Sequence, residues 1–170
     1  MTEVTIVCVG DAGEAIALRS LLESMSHDVR LIRVGAPTDV APALRRASSH
    51  DVVILSAHAG PRGLYLGPFG GEVDVSMMNG DWLPMATAFD GVQFREDAVL
   101  ISTACAARES GLVQAMFQAG GHLIAPNGHP DGTIIVPWIG ACLLQTDAGL
   151  AEAVTRANAL VTPDNRFSYG

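Results

Sequence analysis

The chain has 170 residues, a net charge of −8, 49% hydrophobic and 16% charged residues. That composition excludes a disordered polymer and argues against nucleic acid or an anionic membrane as partner. All ten basic residues are arginine, which excludes chemistry that needs a lysine, such as a P-loop, a Schiff base or a Ser–Lys pair.

The length suits one domain, read as 1–160 with a C-terminal tail over 161–170. Val4–Val9 is a short β-branched run ending at Gly10-Asp11, and it predicts a buried strand. Asp11 to Met25 carries Ile16, Leu18, Leu21, Leu22 and Met25 at helical spacing, and Ser26-His27-Asp28 closes the helix. Val29–Val34 is the second strand, and a second helix follows from Thr38 or Asp39 to about Ser48. Val52–Ala57 is the third strand. Five glycines between Gly60 and Gly71 then mark a loop with a small hairpin up to Asn79, and Trp82–Phe89 reads as a short helix. Ala98–Thr103 is the fourth strand, Arg108–Ala119 a helix and His122–Ala125 the fifth strand. An apolar segment over Thr133–Gln145 contains Pro137, Gly149–Leu160 is the last helix, and Val161–Gly170 reads as a ragged tail.

Aliphatic strands alternating with helices predict a three-layer α/β/α sandwich around a mainly parallel sheet of five or six strands. In such sheets ligands sit beyond the carboxyl ends of the strands. His58 follows the third strand directly and Cys105 follows the fourth, so both belong at that edge. A thiol near an imidazole can act as a nucleophile. The glycines after His58, Gly60 first, allow backbone N–H groups to approach a substrate oxygen. Asp11, after the first strand, either lines the same edge or caps the helix. Asn127 is a substrate contact or a turn residue of the sequence NGHPDG.

The segment VVILSAHAG, followed about fifty residues later by AVLISTACAARESGLVQAMFQAGGHLIAP, resembles the caspase-like fold. The similarity is strongest to the CHAT branch of a group that includes caspases, metacaspases, gingipains and separases, and it spans Val52 to Ala159. The resemblance implies a cysteine endopeptidase with His58 and Cys105 as catalytic dyad and a peptide or protein as substrate. Gly60, Asp11, Thr103 and Asn127 are the candidate oxyanion and substrate-binding positions beside that dyad. It also matches the aspartate that opens the helix after HPDG. Departures stand beside it. Ala59 separates His58 from Gly60, Ala106-Ala107-Arg108 follows Cys105, and Thr103 occupies a place that is acidic in branches cleaving after Arg or Lys. Two further readings therefore accompany the first: a caspase-like interaction module without catalysis, and a flavodoxin-like domain that binds a small ligand.

Among the remaining residues, Glu72 and Asp74 offer acidic groups in the glycine-rich stretch. Cys8 and Cys142 read as core, His122 as structural, and Trp82 and Trp138 as packing residues. Three widely spaced cysteines without a CxxC pair predict neither a disulfide framework nor a zinc site, and no metal or cofactor is expected. With no signal-like segment and no apolar run of transmembrane length, a cytoplasmic protein is expected.

Overall fold

Six short, largely aliphatic runs hydrogen-bond into one central sheet in the computed structural model, which describes residues 2–10 and 12–170. In chain order they are β1 (Glu3–Val9), β2 (Asp28–Val34), β3 (Val52–Ser56), β7 (Val99–Ser102), β8 (His122–Pro126) and β9 (Phe167–Tyr169). Between β3 and β7 the chain inserts a separate antiparallel sheet of β4 (His58–Gly60), β5 (Gly63–Tyr65) and β6 (Trp82–Leu83). The central order is β2-β1-β3-β7-β8-β9, parallel throughout except for β9, which runs antiparallel to β8.

Two apolar layers sandwich the sheet. Helices α1 (Ala12–Ser24), α5 (Gly132–Leu143) and α6 (Leu150–Asn158) cover one face, where Ile6, Cys8, Ile54, Ile101 and Ile124 point. Helices α2 (Val40–Ala47), α3 (Met85–Ala88) and α4 (Leu112–Ala119) cover the other, where Val7, Val53, Leu55, Leu100 and Leu123 point. The period-two alternation of strand side chains generates this division, with apolar residues on both faces as a doubly covered sheet requires. The architecture is therefore the three-layer α/β/α sandwich expected, with six strands in its main sheet. Among the described residues, no helix is long and apolar enough to cross a membrane.

Three local expectations are corrected. Trp82–Phe89 is not one helix: Leu83 precedes Pro84, which pushes the preceding residue toward extended backbone, so Trp82–Leu83 is a strand and the helix starts at Met85. The helix expected from Arg108 starts only at Leu112, because Gly111 sits at φ +83°, outside the helical region. The tail is not ragged. Phe167 is 1% exposed and stacks on Trp138 at 3.9 Å between ring centroids, and this burial holds β9 against β8. The expected aspartate cap is borne out, since the Asp131 carboxylate accepts from Thr133 N at 2.8 Å and opens α5.

Candidate functional site

Strand register fixes which residues share the carboxyl edge. Cys8 of β1 pairs with Ser56 of β3, and Leu55 of β3 pairs with Ser102 of β7. Gly10, Ser56-Ala57-His58 and Thr103-Ala104-Cys105 therefore end three adjacent strands at one level. Connections leave this edge in opposite directions. From β1 the chain passes through α1 on one face to β2, whereas from β3 it continues over the other face toward β7. The reversal falls between β1 and β3, and a crevice opens there in sheets of this kind.

A cavity of about 360 Å³ occupies that crevice, lined by Val9, Glu14, Ala17, Ser56, Ala57, His58, Gly132 and Val136. At its base the buried Ser56 hydroxyl donates to Glu14 Oε1 at 2.7 Å, joining the end of β3 to the first turn of α1. A carboxylate in that first turn is favoured by the helix dipole. Sequence reasoning missed both Glu14 and Ser56. The one available signal was the parity of Ser56, the polar residue at the end of the run VVILS, which places it on the α1 side with Ile54.

The other expected residues are distributed as follows. His58 opens β4, is exposed and borders the crevice. Cys105 stands half-buried beyond the end of β7. Thr103 is buried and its hydroxyl accepts from Ala57 N at 3.2 Å, so it ties two strand ends together. Gly60 is buried under Trp82, and a Cβ there would come within 3.0 Å of the indole ring. Its lack of a side chain serves packing in the small sheet. Asn127 lies away from the crevice, in a groove beside α4. Asp11 lies outside the described residues. Asp74 accepts from Ser76 N at 2.9 Å as a turn residue. Among the described residues no group of three or more His, Cys, Asp or Glu side chains is placed to hold a metal ion.

The electrostatics around Cys105 oppose nucleophilic chemistry. Burial first, and the Glu14 carboxylate second, push its thiol above the ordinary cysteine value. No hydrogen bond joins Cys105 to His58 among the described residues. The next residue, Ala106, adopts a left-handed backbone at φ +50°, and its N–H donates to Gly128 O at 3.1 Å rather than into an oxyanion site. Cys142, buried in α5, is pushed up to about 11 by burial alone.

A labelling experiment follows from these neighbours. At pH 7, iodoacetamide is expected to modify native Cys105 before the buried Cys8 and Cys142, at a rate below that of a free thiol. The rate should climb with pH beyond the normal thiol range. Glu14→Gln should accelerate it about two- to fivefold, because removing the carboxylate lowers the thiol pKa. An unchanged or slower rate in Glu14→Gln would show that Glu14 does not act on this thiol.

No family model matches the chain, and no curated protein matches it. Among solved structures, Streptomyces aurantiacus imine reductase is similar at 14% identity with a TM-score of 0.41. The similarity covers 77% of this chain and 42% of that one, so the chain spans less than half the length of that enzyme. The expectation of a cysteine endopeptidase is corrected here. Burial and then the Glu14 carboxylate raise the thiol meant to serve as nucleophile, and among the described residues no hydrogen bond joins it to His58.

Proposed function

We propose that this chain is a small-ligand-binding α/β domain whose ligand occupies the crevice between the carboxyl ends of β1 and β3. The observation that carries the reading is the 360 Å³ cavity at the point where the sheet's winding reverses, with the Ser56–Glu14 hydrogen bond at its base. Its size falls within the usual ~300–1,000 Å³ of small-molecule pockets. Its lining supports one ligand class over others. Among the described residues, the charged and titratable groups of the wall are Glu14 and His58, and no arginine contributes to it. A phosphate at the start of α1 would meet the Glu14 carboxylate, so phosphoanhydride ligands are disfavoured. A neutral or cationic molecule carrying O–H or N–H donors suits a carboxylate acceptor flanked by Val9, Ala17 and Val136. A cytoplasmic setting belongs to the same reading, supported by three cysteines that are not joined in disulfides among the described residues.

The test is an NMR-detected titration against small amines, polyols and mononucleotides. Amines or polyols are expected to shift the amide resonances of Val9, Ser56 and His58. Glu14→Gln should weaken them about tenfold, the scale of a hydrogen bond to a charged group. Tighter binding of mononucleotides, or indifference to Glu14→Gln, would refute the proposed class.

A further inference from the structure

A second cavity lies on the opposite face of the sheet. It is a groove of about 260 Å³ between α4 and the outer strands β8 and β9. The fold leaves it open because β9 is added at the edge beyond α4, while α6 packs on the other side of that strand. Leu123 and Ala125 of β8 form its floor, and Val113, Met116 and Phe117 of α4 form its wall. Val113 is 45% and Phe117 83% exposed, so the rim is apolar as well.

The groove is polarised along its length. Arg108, in the turn after β7, and Asn127, directly after β8, stand at its carboxyl-edge end. Gly121 and Gly170 stand at the other, since Gly170 pairs with Leu123 at the start of β8. The three ion pairs among the described residues engage Arg19, Arg95 and Arg156, and none engages Arg108. An unpaired guanidinium at one end of an apolar trough is complementary to an anion with an apolar body.

We propose that this groove binds a small amphiphilic carboxylate, a medium-chain or aromatic acid, lying along β8 with its head group at Arg108 and Asn127. A single planar guanidinium matches a carboxylate in bidentate fashion, and the chain's net charge of −8 disfavours multiply charged anions. Strand addition by a peptide is disfavoured, because the outward N–H and C=O of Phe167 on β9 are already taken by the Asn158 carboxamide. The site is independent of the crevice between β1 and β3, and each stands or falls alone.

Octanoate, 3-phenylpropionate and the uncharged 1-octanol, titrated separately and followed by amide NMR and calorimetry, test the proposal. Either acid is expected to bind and to shift Ala125, Asn127, Ser168 and Gly170, and the tighter of the two identifies the apolar body. Arg108→Met should weaken both acids about tenfold and leave octanol unchanged. Ser168→Phe, at an exposed strand position that accepts an aromatic residue, should fill the groove and abolish all binding without lowering the melting temperature. Equal binding of octanol and octanoate, insensitivity to Arg108→Met, or no acid binding up to ~10 mM would overturn the proposal. So would a wild-type dimer that Phe117→Ser converts to monomer, because a second copy would then cover the groove.

Discussion

Asn158→Ala is expected to destabilise the protein by about 2–4 kcal/mol, although the site is a helix terminus and the new residue is a better helix former. Asn158 closes α6, and its carboxamide makes three bonds. Oδ1 accepts from Phe167 N at 3.0 Å and from Trp138 Nε1 at 3.2 Å, while Nδ2 donates to Phe167 O at 2.8 Å. The side chain thus acts as a one-residue strand beside β9, satisfying the backbone groups that an edge strand would leave open. Its removal strands a Trp138 indole N–H in a residue that is 2% exposed, and an unmet buried donor costs about 1–3 kcal/mol. The two backbone groups regain water, which limits the remainder. Urea unfolding at pH 7 gives the answer as a shift in midpoint at constant slope. Asn158→Asp keeps the acceptor and loses the donor, so it should fall between wild type and alanine. A loss below about 1 kcal/mol in Asn158→Ala would mean that β9 is held by the Trp138–Phe167 stack alone.

Gly63→Ala is expected to cost about 3–5 kcal/mol, and its damage should concentrate around His58. Gly63 sits at φ +118°, where a side chain is strained in any surroundings, and its Cβ would lie 2.1 Å from the Leu83 carbonyl oxygen. That oxygen belongs to β6 backbone, which Pro84 and α3 hold in place, so relief requires β5 to leave β6. His58 pairs with Tyr65 across the same hairpin. Separation of the small sheet would therefore displace one wall of the crevice while the six-stranded sheet stands. Gly67→Ala is the control. It also has a positive φ, +81°, but its nearest foreign atoms lie at 3.8 Å, so about 1 kcal/mol is expected. Unfolding curves and chemical shifts at His58 for the two variants separate backbone strain from collision. Equal, small losses would show that the hairpin remakes its turn without cost.

Residues that act locally determined most of the fold from sequence. Val4–Val9, Val29–Val34, Val52–Ala57 and Ala98–Thr103 are aliphatic, β-branched runs too short for helices, and each became a strand within a residue or two of its expected bounds. The layer architecture followed, because apolar residues on both faces of a strand demand helices on both sides of the sheet. Parallel strands also implied that His58 and Cys105 share one edge, and they do. The chemistry at that edge was not legible. Whether a thiol beside a strand end is activated depends on how the fold surrounds it: here burial raises it first, and Glu14 from α1, far from Cys105 in sequence, raises it second. Only tertiary structure could set that carboxylate, through Ser56, into the crevice. The same holds at the other end of the chain. Nothing local in Val161–Gly170 predicts a strand, and β9 exists because Phe167 finds Trp138 to stack on and Asn158 to bond. Periodicity specifies which face a residue shows, a local property. Which side chains meet across elements is settled by packing, and the site is made of such meetings.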